Sequence, residues 1–471
     1  MTRLACGLAL VSVLVVCSPP ALAQAPAVHE HPCAAKAPAN ARCGYIEVLE
    51  DRAKPDGRKL HIEFVQIRST AKNPDPAAAV DVAGGPGMSS TPGAAFVAEI
   101  FGYVLKYRDI VLYDQRGTGA SSPLHCDLHA DVPANEAGDF LPKPGVRRCY
   151  QQMSAQADLS KYNTTFSVQD LDELRAALGY DKLVLHALSY GTRLSQAYLQ
   201  AHPEHVRGMV FEGALLPGAR IPLQFAKGMQ KVLNAVLEDC RQEADCKPVA
   251  DQIDLPKIAT GRRIEFTSGG RTIAVTPAQF FEMFRALLYE GEGARSVPLL
   301  LAQVSRGDTS QLGKLYERVY GDDPGFSWPL WLSVTCAEDT PFIREEQIGP
   351  ATKGTVAGDY RIRRQQEACK LWPVPAREPV LGRPSNVPLL LMEGQLDLVT
   401  PPWSDAQLKR YFPRGRQVIL PKVGHLQVGL DGLECLDAIE EQFVATLNLQ
   451  AIDVSCREKI KRKPFEVGVE K

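Results

Sequence analysis

The 471-residue chain carries almost no net charge, 53 Lys and Arg against 55 Asp and Glu, and no run of like charge. It therefore lacks the basic face by which proteins hold nucleic acid, and any acidic or basic tail. Aromatic residues are scarce at 7%, but 45% of the chain is apolar and 23% charged. That balance excludes a disordered chain, a coiled coil and a polytopic membrane protein. Twelve cysteines are present but no C-x-x-C, so the spacing of a zinc or thioredoxin-like motif is missing. The apolar stretch at residues 8–16 is too short to span a membrane.

That stretch reads instead as an export signal, residues 1–23, with Arg3 as its positive start and Ala21-Leu22-Ala23 as the cleavage site. A lipoprotein reading through Cys17 is weaker, because Val16 is bulky where such signals carry a small residue. Residues 24–44 read as a leader, Ala/Pro-rich and disordered up to residue 38. The protein is then periplasmic or secreted, with no membrane span once the signal is removed. Loss of Cys6 and Cys17 leaves ten cysteines, an even number that favours disulfides in an exported protein. They fall into sequence-neighbour pairs, Cys33/Cys43, Cys126/Cys149, Cys240/Cys246, Cys336/Cys369 and Cys435/Cys456, although spacing alone does not fix connectivity.

Short apolar runs stopped by Gly, Asp or Pro recur at residues 78–82, 109–113, 183–186, 209–211, 388–392 and 416–420, as buried parallel strands do. Residues 60–67 alternate as a half-buried strand. Helical periodicity lies between them, as at residues 167–178, where Ser167 can cap the start. Strands alternating with helices point to an α/β fold with a mostly parallel sheet. The strand signal thins between residues 216 and 385, where residues 225–237 and 280–289 are helical in pattern. The expected organisation is thus a core of residues 45–215 and 386–471 interrupted by a helical cap at 216–385.

Ser189 follows the apolar run LVLHAL, precedes a helical stretch, and has Ala187 and Gly191 two residues to either side. This is the nucleophile-elbow pattern with its first Gly replaced by Ala. A strained strand-to-helix turn needs such small neighbours. A second strand runs into the turn Ala83-Gly-Gly-Pro-Gly87. A phosphate loop would place a Lys after the glycines, where Met88-Ser89-Ser90 stands. The loop reads better as half of an oxyanion hole, with the Gly85 and Tyr190 amides as donors. A nucleophilic serine also needs a base and a residue to orient it. Asp397 and His425 each follow a C-terminal strand, and the order Ser189, Asp397, His425 is that of an α/β hydrolase.

Together Gly84 to Gly87, Asp114-Gln-Arg-Gly-Thr-Gly-Ala-Ser121, Ser189-Tyr-Gly-Thr192, Asp397 and Gly424-His425 resemble the α/β-hydrolase peptidases of the proline iminopeptidase and secreted tripeptidyl aminopeptidase group, over residues 45–447. Ala83 stands where the iminopeptidases usually carry His. The resemblance implies an α/β-hydrolase fold with an inserted helical cap, a Ser-His-Asp hydrolase releasing N-terminal residues, and no metal or organic cofactor. Asp114 and Arg116 are expected to tie a sharp loop beneath the site. The resemblance also implies acidic groups for the substrate's amino group. Glu338 and Asp339, at the end of an apolar stretch, and Glu212, after the strand that follows the elbow, are the candidates. The expected substrate is a peptide or a small amide or ester; no oligomeric state follows. The alternatives are a carboxylesterase on the same triad, favoured if no anionic group lies near Ser189, and a catalytically silent binding protein on the same scaffold.

Overall fold

The structure is a computed structural model that describes residues 25–378 and 382–468. The export signal and Cys17 lie outside the described residues. Nine strands form the main sheet: β1 Val28–His31, β2 Ala41–Leu49, β3 Lys59–Ile67, β4 Ala78–Val82, β5 Ile110–Tyr113, β6 Leu183–Leu188, β7 Val206–Glu212, and two that follow a small hairpin, β8 Ile264–Ser268 with β9 Arg271–Val275. These last two are β10 Leu389–Gly394 and β11 Arg416–Leu420. The order across the sheet is β1-β2-β3-β5-β4-β6-β7-β10-β11. The first three neighbours pair antiparallel and β5 onward runs parallel. This is the α/β-hydrolase fold that the motifs imply.

The parallel strands are apolar on both sides because both faces are covered. On one face Val168 and Leu171 of helix Thr164–Ala177 and Leu194 and Tyr198 of helix Tyr190–Ala201 join the core. On the other, Leu436, Ile439 and Phe443 of helix Glu434–Thr446 pack against Val210, Leu390 and Met392. The helix expected to start at Ser167 begins three residues earlier, capped by Asn163, whose side chain accepts from the Thr165 and Phe166 amides; Ser167 is buried inside it.

Two further departures have simple causes. The Ala/Pro-rich segment thought disordered contains β1, which pairs with β2 from Val28 to His31 and is anchored by the Cys33–Cys43 disulfide. The region between β7 and β10, read as helical, also contains the hairpin β8–β9, turned by Gly269 and Gly270 at φ +55° and +74°. Such a Gly-Gly turn between alternating strands is itself a hairpin signal. Disulfides join all five sequence-neighbour pairs. Among the described residues no helix is long and apolar enough to cross a membrane.

Candidate active site

Ser189 sits at the joint between β6 and helix Tyr190–Ala201 with φ 56° and ψ −121°, a backbone conformation that costs a non-glycine residue of order 1–3 kcal/mol and persists only where its surroundings enforce it. Here the Ser189 amide donates to the Glu212 carbonyl of β7 at 3.0 Å. Thr192 Oγ donates back to the Ser189 carbonyl at 2.6 Å and receives the Leu215 amide at 3.0 Å. Ala187 pairs between Val82 and Phe211 and is fully buried, so a small residue suffices there. Gly191 is obligatory, because a Cβ would collide with the Val82 carbonyl oxygen.

The Gly-rich loop after β4 closes on the same point. A Cβ on Gly84 would lie 3.2 Å from that of Ser189. Gly85 has φ +109°, and Tyr190, as the first helical residue, has an amide with no carbonyl one turn back to accept it. Two donors can therefore face an oxyanion formed beside Ser189. Asp114 and Arg116 lie where a supporting loop needs them. Asp114 receives the Ser90, Thr91 and Ala120 amides at 2.8 to 3.0 Å, and Arg116 grips Asp170 with two 2.6 Å hydrogen bonds.

Asp397 and His425 meet across the C-terminal strands, with Nδ1 2.8 Å from Oδ2. The other carboxylate oxygen accepts the Val399 and Thr400 amides at 2.7 and 2.8 Å, and Thr400 Oγ donates to Oδ2 at 2.6 Å while lying 3.1 Å from Nδ1. Thr400 is a member the sequence reading missed; its signal was a Thr three residues after the Asp in D-L-V-T, the spacing of a local side-chain turn. The Tyr289 ring stands perpendicular to the His425 imidazole, at 89° with centroids 5.4 Å apart.

Ser189, Gly84, Gly85 and His425 line one cavity of about 290 Å³, at the small end for a ligand site. Its far walls are aromatic, from Phe140, Phe225, Phe326, Trp328 and Trp331, with Arg285, Arg361 and Gln365 among them. A wider groove of about 620 Å³ near Arg295 and Glu466 contains neither Ser189 nor His425.

The three carboxylates expected to read an amino group are not brought to this cavity. Glu338 is buried behind its wall, where its two oxygens receive the Thr164 amide at 2.8 Å and hydroxyl at 2.7 Å; burial lifts its pKa, against the pull of Arg193. Asp339 is taken by Arg193. The Glu212 side chain points to the opposite side of β7, 3.4 Å from His186, which is also 3.1 Å from Glu440. Burial opposes the charge on His186, but those two carboxylates outweigh it and hold its pKa well up. Among the described residues that line the cavity there is no Asp or Glu.

Comparison with known proteins gives a consistent picture. A family profile described as alpha/beta hydrolase fold matches residues 84–260, and one described as TAP-like protein matches residues 354–456. The chain is 27% identical over 455 residues to the serine protease Hip1 of Mycobacterium tuberculosis, covering 85% of this chain and 84% of that one. It is 25% identical over 463 residues to the tripeptidyl aminopeptidase of Streptomyces lividans, covering 88% and 83%. It is 29% identical over 358 residues to the proline iminopeptidase of Neisseria gonorrhoeae, covering 75% and 84%.

Proposed function

We propose, from the premise that this chain belongs to the α/β-hydrolase peptidases and is a serine hydrolase, that it is an exported serine peptidase working through Ser189, His425 and Asp397. The observation that carries this reading is the opening of Ser189, on its strained elbow, into the cavity lined by His425, whose Nδ1 is 2.8 Å from Asp397. The reading divides the chain into a hydrolase core, residues 45–215 and 386–471, to whose sheet β1 and the start of β2 are added, and a cap, residues 216–385.

In this reading His425 takes the Ser189 proton as Oγ attacks the substrate carbonyl. Asp397 accepts from Nδ1–H, fixes the tautomer and stabilises the imidazolium, and is itself fixed by Val399 and Thr400. The Gly85 and Tyr190 amides hold the tetrahedral oxyanion. His425 then gives its proton to the leaving amine, and water, activated by the same imidazole, hydrolyses the acyl-enzyme.

An aminopeptidase that releases one or three residues is the form suggested by the names of its relatives. That form calls for an anionic partner for the free amine, and the cavity lining supplies none among the described residues. The same observation favours a second reading, a carboxylesterase on the same triad. Matched chromogenic substrates separate the two: a free-amino Pro or Ala amide, its N-acetylated counterpart, a tripeptidyl amide and a short acyl ester, each with Ser189→Ala as control. Ser189-dependent cleavage of the amides supports the peptidase, and loss of that cleavage on acetylation the aminopeptidase. Turnover of the ester alone replaces it with the esterase, and no Ser189-dependent turnover removes both.

A further inference from the structure

The cavity is walled by a buried cationic pair that the reaction itself does not need. Arg285 is 8% and Arg361 9% exposed, and both turn to a single carboxylate, Glu282. Arg285 donates to Glu282 Oε1 through Nε at 3.2 Å and Nη2 at 2.9 Å, and Arg361 Nη1 donates to the same oxygen. Two guanidiniums facing one carboxylate leave one positive charge uncompensated. Asp139, adjacent in the chain to Phe140, is occupied by Arg364 at 2.7 Å, Gln279 and Tyr360.

The hydrogen-bonding capacity of this wall is also incomplete. Arg361 Nε is buried without a partner among the described residues, and so is Oε1 of Gln365, one helical turn further along and likewise lining the cavity. Aromatic faces hold the guanidinium in place: Phe140 lies 4.0 Å and Phe225 4.4 Å from it. A buried cation with a spare donor at Nε, fixed between rings, is pre-organised for an anion, and a planar guanidinium suits a carboxylate best. Burying such a charge is costly unless something pairs with it.

We infer that Arg361, with Arg285 beside it, forms an anion subsite, and that the preferred acyl group carries a carboxylate, as in a glutamyl or aspartyl residue at the scissile bond. The inference rests on Ser189 being the nucleophile of this cavity. It makes the acyl pocket select a negative side chain instead of a free ammonium. Tyr289 connects the two halves, because its hydroxyl receives Arg285 Nη1 and its ring packs perpendicular to His425.

The test pairs acids with their neutral amides: acetyl-Glu against acetyl-Gln p-nitroanilide, and the mono-p-nitrophenyl ester of glutaric acid against that of glutaramic acid. The acid is expected to exceed the amide by about tenfold or more in kcat/KM, because an unmatched buried donor penalises the amide. Arg361→Gln should bring the ratio to near one, and so should Gln365→Glu, which places a carboxylate beside the guanidinium. Equal rates on acid and amide in the native protein would overturn the inference, as would variants that slow both members of a pair equally. Labelling of Ser189 by a fluorophosphonate is read in parallel. If Ser189 does not label, the nucleophile assignment itself fails. If it labels but no substrate turns over, glutarate should slow labelling more than glutaramate in the native protein and not in Arg361→Gln, and equal protection rejects the subsite.

Discussion

Asp339 holds the Arg193 guanidinium by both terminal nitrogens, at 2.9 and 3.2 Å. Arg193 lies four residues beyond Ser189, in the helix that begins at the elbow, and Asp339 ends the helix whose Trp331 and Thr335 line the cavity. The adjacent Glu338 reaches Thr164, whose hydroxyl is 2.8 Å from that of Tyr190. Two neighbouring carboxylates thus bind helix Trp328–Glu338 to the helix that follows Ser189, and the cavity keeps its shape because Ser189 and this wall share one buried polar network.

Asp339→Ala should therefore damage the fold more than the chemistry. It leaves the buried Arg193 charge with only Glu338, 3.8 Å away, a loss of at most about 3–5 kcal/mol for a broken buried pair. The expected result is a lower urea midpoint at unchanged m-value, with the double variant Arg193→Met/Asp339→Leu recovering most of the loss. An unaltered midpoint for the single variant would show that the pair is not desolvated.

Gly213→Ala should act on the proposed catalytic pair, Asp397 and His425, itself. Gly213 has φ +51°, and a Cβ there would stand 3.0 Å from Asp397 Oδ2, His425 Nδ1 and Thr400 Oγ alike. Displacing the imidazole by a fraction of an ångström is expected to lower kcat by about 100-fold with a smaller change in KM. A fluorophosphonate labelling rate reports the same loss without a substrate, and a rate equal to that of the native protein would refute the expectation.

The residues proposed as the triad were legible because each follows a short, largely apolar strand in a fixed chain order, so local pattern alone singled out Ser189, Asp397 and His425. The roles of Glu338 and Asp339 were not, since their partners Thr164 and Arg193 lie 174 and 146 residues away and no local pattern encodes such a pairing. An apolar run ending in two acids reads equally as a cavity edge or an internal clamp. The same holds for Arg361 and Glu282, 79 residues apart. Seven of the nine sheet strands were read from the sequence, the parallel ones because burial on both faces leaves a continuous apolar signature. The N-terminal strands β1 and β2 escaped because neither the mostly exposed VHEH nor the half-buried ARCGYIEVL carries one.

The Cys336–Cys369 disulfide joins helix Trp328–Glu338, which supplies Trp331 and Thr335, to helix Tyr360–Leu371, which supplies Arg361 and Gln365. Cys336→Ala/Cys369→Ala should lower stability by about 2–4 kcal/mol, since the link closes a loop of intermediate length. It should also raise KM more than it lowers kcat, because the two walls of the cavity lose their tie while Ser189 and His425 keep theirs. Unchanged KM with a lowered midpoint would confine the disulfide to stability.

Glu393 gives the protein a specific response to pH. It is fully buried at the end of β10; its Oε2 accepts the Trp403 amide at 3.0 Å and Gln417 Nε2, while Oε1 is buried without a partner among the described residues. Burial above all, with Asp397 nearby, pushes its pKa from the ordinary 4.5 up to about 8. The folded state then binds this proton more tightly than the unfolded chain, so unfolding releases it at any pH between those two values. Its contribution is full below about 4.5, declines as pH rises through neutrality, and is gone above about 8. Glu393→Gln keeps the shape and removes the titration. Urea midpoints measured from pH 5 to 9 should fall less steeply for the variant than for the native protein, the gap opening as pH rises towards 8. Parallel curves would show that Glu393 is already ionised in the folded state, and that its unpaired oxygen has a partner.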